Sequence, residues 1–424
     1  MESLWHSKGS HSGRAAWIGL IASVLLSGAA SQANAQNPIL RIIPSPSPTI
    51  GGNTLNAVAA VSAKEAWAVG FQNENQLNGA RTLTEHWDGA HWTSVPSPNP
   101  GSTPACQGEN TGNVVNGVAE LSPANVWAVG FSFDCRSDLK PMILHFDGTS
   151  WRSFPSPALR TNDNAALNGI AAMATNNIYA VGYQPAENGA VLPLVEHFDG
   201  HAWSVVTVPD AGNPGIVLTS VSADSANDVW AVGTSTDQPT VSIQTLVEHF
   251  DGTQWAIVPS PNPLPKAFLN QNVLSSVKTT SPSDVTAVGF ILDSGLQREL
   301  TLIEHWDGAQ WTVVDSPNES TDSGTLNTLT GVSGFSSNDL YAVGFFGNSS
   351  TSGQPETLVE HFDGTSWSII TSPTRGLAQH LNGVFALPKT GRVWTVGASS
   401  NSGIDPETGL LQLPLTLVEF SPVG

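Results

Sequence analysis

Five times along this chain a glutamate, a histidine and an aspartate fall within four residues: Glu85, His86 and Asp88; Glu196, His197 and Asp199; Glu248, His249 and Asp251; Glu304, His305 and Asp307; Glu360, His361 and Asp363. His145 and Asp147 repeat the set in part. Carboxylates beside an imidazole can ligate a metal ion or relay protons. A catalytic group, however, is needed once, and a set that recurs belongs to the scaffold. Each aspartate precedes a glycine, the pair of a tight turn. The set therefore reads as hydrogen bonds that tie strands and satisfy buried backbone groups.

Residues that differ from copy to copy are better candidates for binding. They are Arg81, Asp134, Arg136, Tyr183, Glu187, Asp293, Arg298 and Glu299. No two of them stand at a spacing that marks acid–base partners. A sialidase-like site would want clustered arginines and a tyrosine nucleophile, but arginines are few, and Tyr179 and Tyr341 are repeat positions. There is no Gly-rich phosphate loop, CxxC pair, calcium loop or Ser-His-Asp order. No metal or cofactor is expected. Ten of the 14 tryptophans hold two repeat positions, where they fill space between sheets. None falls on a variable loop, where stacking on a sugar would need it.

The elements that position these residues follow from a repeat. "WAVG" or a variant of it begins at Trp67, Trp127, Tyr179, Trp230, Thr286, Tyr341 and Trp394, at intervals of 60, 52, 51, 56, 55 and 53 residues. Each unit holds four short β-prone runs, and such a period is the signature of a β-propeller. An aliphatic residue stands 12 residues before the aromatic in six units and 13 before it in the seventh (Leu381 to Trp394). From each Asp-Gly turn to the next Trp the gap is always four, as from Asp251 to Trp255. The other two connections vary in length. In a four-stranded meander the fixed turns share one face and the variable ones the opposite face, so function is expected on the variable face. The seventh unit stops after a third strand, Thr416–Phe420, while Leu40–Pro46 ("LRIIPSP") matches the fourth strand Trp92–Pro98. Pairing them would close a seven-bladed ring and remove an exposed edge.

The phrase Glu304–Pro317 ("EHWDGAQWTVVDSP") resembles the Tyr-Asp…Trp half of kelch repeats and is similar to the Asp-box turn of sialidase-like propellers. It has one glycine where kelch strands end in two, and it lacks the leading Ser-x-Asp of an Asp box. The whole WAVG…EHxDGxxW pattern resembles secreted bacterial propeller repeat proteins, which implies an all-β ring and leaves the chemistry open.

Residues 1–35 read as a signal peptide: Lys8 and Arg14, an apolar run from Ala15 to Ala30, then Ala33-Asn34-Ala35. Its loss moves the formal charge from −20 to −21, since Glu2 leaves with Lys8 and Arg14. An acidic surface repels phosphate backbones and anionic lipid, which argues against nucleic-acid and membrane partners. The two cysteines, Cys106 and Cys135, suit a disulfide in an exported chain. The expectation is a secreted or periplasmic monomer, residues 36–424 forming one seven-bladed propeller of four-stranded antiparallel blades. Its variable face would bind a polysaccharide or an extracytoplasmic protein without catalysis. The alternative is a glycan lyase or hydrolase whose acids, such as Asp134, Glu187, Asp293 and Glu299, converge near the axis.

Overall fold

The computed structural model describes residues 40–49, 51–75, 78–102, 111–135, 138–157, 159, 164–213, 215–347, 354–376, 378–400 and 415–421. The expected leader, Cys106 and Arg136 lie outside the described residues. Pro38–Gly424 forms one compact body.

Among the described residues the strands form five four-stranded sheets and one sheet of eight. The eight-stranded sheet holds the fourth and fifth repeats, which meet at a single parallel bridge between Ile243 and Gln271. Apart from an isolated parallel bridge between Val191 and Gly215, the remaining pairings are antiparallel, and all but one join strands that are consecutive in the chain. The fourth repeat shows the plan: Ile216–Ser225, Asp228–Asp237, Ser242–Phe250 and Trp255–Ile257. The sheet of the seventh repeat takes its outer strand from the other end of the chain. There Arg41–Ile42 pairs with Leu415–Phe420, Ile42 stands opposite Glu419, and the Ile43 N–H lies 2.9 Å from the Val418 carbonyl.

The glycine of each WAVG phrase has a steric cause. The first strand of every unit carries a bulge beside it, in the fourth between Leu218 and Ser220. The bulge pushes a carbonyl against the second strand, so a Cβ on Gly233 would lie 2.0 Å from the Val217 oxygen. Gly70, Gly130, Gly182, Gly289, Gly344 and Gly397 meet the same obstacle at 1.9–2.0 Å. Gly233→Ala is therefore expected to cost about 3 kcal/mol, because backbone rather than a flexible side chain must move. Urea denaturation measures it, and a loss under about 1 kcal/mol would contradict the bulge geometry.

The core lies between sheets. The WAVG aromatics pack between sheets: Trp67 lies on Phe146 and Trp151 of the next unit (centroids 4.6 and 5.1 Å), whereas Tyr341 meets aliphatic residues such as Leu40, Leu381 and Leu417. Trp394 of the last unit packs as Trp67 does, on Trp87 and Trp92 of the first (5.3 and 5.2 Å). Hydrogen bonds between first strands follow the same order. Asn56 donates to the Val115 carbonyl, Asn116 to Leu167, Asn168 to Leu218, Thr219 to Leu274 and Thr330 to Leu381, at 2.8–2.9 Å. Asn382 then donates to Leu55, 2.9 Å away and 327 residues back along the chain.

Candidate functional site

The repeated Glu-His-x-Asp set divides into three structural jobs. The aspartate ties the Asp-Gly turn: Asp251 Oδ1 accepts the N–H groups of Thr253 and Gln254 at 2.8 and 2.9 Å. The Thr253 hydroxyl, which donates to the same oxygen at 2.5 Å, and these two N–H groups pull its pKa down to about 2. The histidine stacks on the WAVG aromatic, His249 on Trp230 at 4.0 Å between centroids. Its Nε2 lies 2.7 Å from Asp228 Oδ1, which also accepts the Trp230 indole N–H at 3.1 Å. Asn125 serves His145 and Trp127 in the same manner, at 2.9 Å each. His145 and His197, both facing asparagines, are held below the usual imidazole range by burial.

The glutamates are the surprise. Glu85, Glu196, Glu248, Glu304 and Glu360, together with Glu419 of the last unit, are completely buried between sheets. Burial raises the carboxyl pKa of Glu196 and Glu419 to about 7 and that of Glu248, Glu304 and Glu360 to about 8, with Glu85 also pushed well up. Three of the six are bonded to the Ser-Pro serine that follows the fourth strand of the preceding unit: Ser156 to Glu196 (2.8 Å), Ser316 to Glu360 (2.9 Å) and Ser372 to Glu419 (2.8 Å). A buried carboxylate without a partner is costly, so the fold favours the neutral, protonated form of these groups.

The copy-specific candidates are distributed over several sheets. Arg81 is exposed on the third strand of the first unit, and Asp134 lies 3.6 Å from Lys140 in the second. The fifth unit brings three of them onto one hairpin, where each has an internal task. Asp293 accepts N–H groups from Gly295 and Leu296 (3.0 Å each), Arg298 donates to the Thr321 carbonyl (3.2 Å), and Glu299 accepts from the Thr328 hydroxyl. Tyr183, half-buried, and Glu187, exposed, belong to the hairpin of the third unit.

That third unit also carries the feature that sequence reasoning missed. In the first, fourth and fifth units the segment leaving the fourth strand is strapped to the third strand through a threonine, whereas the second unit carries Pro141 at that place but keeps the serine, Ser156. Thr245 hydrogen-bonds the Ser260 hydroxyl (2.7 Å), and its N–H reaches Asn262 Oδ1 (2.9 Å). Thr82 and Thr301 make the same ties to Ser97 and Asn99 and to Ser316 and Asn318. In the third unit the threonine is Pro193, the serine is Val208 and the asparagine is Asp210. Proline offers neither N–H nor hydroxyl, so the strap cannot form. A groove of about 860 Å³ opens there, between the Gln184–Pro193 hairpin and the Val205–Asp210 segment. Its walls carry Leu159, Leu192, Pro193 and Val205–Val208, and its polar groups are Gln184, Asn188 and two carboxylates, Glu187 and Asp210. The adjoining strand Trp203–Val206 is outermost in its sheet, so among the described residues one of its edges has no neighbouring strand. The signal was legible as the one unit in which all three strap residues change together.

The first strands of all seven units line a second, smaller cavity of about 220 Å³. Asparagine, threonine, serine, glycine and aliphatic residues face it, and no carboxylate is among them.

No family model and no curated protein matches this sequence. Solved structures do match the fold. One is YCF48 bound to a D1 peptide, 13% identical, with a TM-score of 0.51 over 92% of this chain and 98% of that one. Another is a polysaccharide lyase acting on ulvan, 8% identical, with a TM-score of 0.51 over 84% and 93% of the two chains. A six-bladed fungal lectin from Aleuria aurantia is similar over 62% of this chain and 78% of its own, at 14% identity and a TM-score of 0.40. This chain is a β-propeller. Identities so low carry the fold and leave the chemistry to the residues themselves.

Proposed function

We propose that this propeller has seven blades, is closed by its own N-terminal strand, and binds an extended polypeptide segment in the groove of its third blade. The blade count takes the eight-stranded sheet as two blades, since one parallel bridge joins two complete meanders. Closure is supported by the pairing of Arg41–Ile42 with Leu415–Phe420, the Trp394–Trp92 contact and the Asn382–Leu55 hydrogen bond.

The groove's composition carries the functional reading. Aliphatic and proline walls with two carboxylates suit a chain that offers aliphatic and basic side chains, and the free edge of Trp203–Val206 offers backbone hydrogen bonds to an added strand. No aromatic ring lines the groove, which disfavours a sugar as occupant. The enzyme alternative would need acids from different blades around the axis, whereas Asp293 is engaged on its own hairpin, Glu299 is held by Thr328 of the sixth unit's first strand, and Glu187 stands in the groove. The leader-like first 35 residues make the setting extracytoplasmic, and there a bond between Cys106 and Cys135 would fasten the entry of the second blade to its hairpin.

The test is a screen of basic and acidic extended peptides against the purified chain, followed by the double variant Glu187→Lys/Asp210→Lys. Basic peptides should bind with affinity that falls as salt rises, and the variant should lose at least about tenfold. Undiminished binding by the variant, or binding of glycans in place of peptides, would refute the assignment.

A further inference from the structure

One unit lacks its inserted aromatic. Where the others place Trp67, Trp127, Tyr179, Trp230, Tyr341 and Trp394, the fifth places Thr286, which is buried. The surroundings of an aromatic are nevertheless complete there. In the fourth unit Trp230 stacks on His249, packs on Trp306 and Trp311 of the next blade at 5.2 and 5.5 Å, and donates its N–H to Asp228. In the fifth, His305 takes the histidine place, Phe362 and Trp367 form the ring pair (5.4 Å), and Asp284 stands where Asp228 does. These groups line a cavity of about 200 Å³, with Ile303 and Leu340 in its apolar walls. Lys278, opposite Thr286 across the strand pair, is not part of the lining. The side chains of Asp284 and His305 are 22% and 36% exposed and lie 3.5 Å apart, so the cavity has a polar mouth open to solvent.

We propose that this gap between the fifth and sixth blades binds one small planar aromatic molecule of indole size, with its ring N–H donated to Asp284. An apolar cavity of about 150 Å³ is already enough to take benzene. Here the space is larger, ring faces flank it, and a carboxylate acceptor waits at the position that receives an indole N–H one blade earlier. Thr280 already donates to Asp284 Oδ1 at 2.9 Å, which fixes the carboxylate and leaves further acceptor capacity.

Calorimetric titration of the purified chain with indole, and with benzofuran as the isostere lacking N–H, tests the site. Wild type should give a saturable one-to-one isotherm with indole and bind benzofuran about tenfold more weakly. Thr286→Trp, which fills the gap covalently, should weaken indole binding at least about tenfold and raise the melting temperature. Asp284→Ala should retain binding and lose the preference for indole, a readout that does not depend on how well the tryptophan variant folds. No isotherm with wild type, or indole binding unchanged by Thr286→Trp, overturns the proposal. Equal affinity for the two probes in wild type overturns the role of Asp284.

Discussion

A chain lacking residues 36–48 after its leader should melt far below the full-length protein and associate through the edge it exposes. Leu40 is buried, Ile42 packs partly buried against the sixth and seventh blades and Ile43 against the seventh and first, and Ile43 donates its N–H to Val418. Ser45 and Ser47 then bind the Thr416 hydroxyl at 2.6 and 3.2 Å, the same strap that closes the first, fourth and fifth units. At roughly 1.5–3 kcal/mol for each aliphatic side chain buried, the apolar contribution alone is about 5 kcal/mol. That is a large share of a total stability near 5–15 kcal/mol. The deletion also leaves Leu415–Phe420 as an unpaired strand edge, a template for another chain. Thermal melts and sizing columns measure both effects. A synthetic peptide spanning residues 38–49 should restore the melting temperature in trans when in excess. A truncated chain that melts with the full-length one and stays monomeric would mean that the ring does not depend on this strand.

Much of this was legible without coordinates because repetition exposes constraint. The four-residue interval from Asp251 to Trp255, kept in six units, is the length of one tight turn, and Leu40–Pro46 matches the fourth strand Trp92–Pro98, the element missing after Phe420. The groove was visible only as an exception, the change of Thr, Ser and Asn to Pro193, Val208 and Asp210, whose consequence depends on how the exit segment folds back on the third strand. Thr286 likewise looks like a tolerable variant until Phe362 and Trp367 of the next blade are placed opposite it. Asp293, Arg298 and Glu299 looked like free loop charges, because a sequence does not show which carboxylate will cap its own hairpin. The deepest misreading would be of charge itself. In "TLVEHF" the glutamate stands among polar and apolar neighbours as a solvent-facing residue would, and only the packing of the preceding blade over Glu248 reveals it as part of the core.

Stability should fall as pH rises from about 5 to 8, opposite to the behaviour of a protein held by surface ion pairs. The unfolded glutamates release their protons near the ordinary pKa of about 4.3. The folded ones hold theirs up to about 7 for Glu196 and Glu419 and about 8 for Glu248, Glu304 and Glu360. Within that window the native state binds more protons than the unfolded chain, so each added pH unit destabilises it, by up to about 1.4 kcal/mol per group. The stabilisation is complete below the unfolded pKa and lost as pH passes through the folded one. His145, His197 and His380 act in the other direction: their depressed folded pKa values add stability that is lost as pH falls below the usual imidazole range. The turn aspartates, such as Asp88 and Asp363, are held low by backbone N–H donors and lose their contribution only in more acidic solution. Six glutamates outnumber three histidines, which places the optimum near pH 5. The second unit supplies a control, because Leu144, completely buried, occupies the glutamate position there. Glu248 suits the test: neither carboxyl oxygen has a hydrogen-bond partner, and Val208 stands where a serine serves other blades. Glu248→Leu should stabilise the protein by about 2–3 kcal/mol at pH 8, less at pH 5, and reduce the proton uptake on folding by about one. Urea titrations of both proteins at pH 5, 6.5 and 8 give the slopes directly. A wild-type stability that climbs between pH 5 and 8, or a variant that is weaker at pH 8, would show that these carboxyls are ionised in the fold and compensated by some other group.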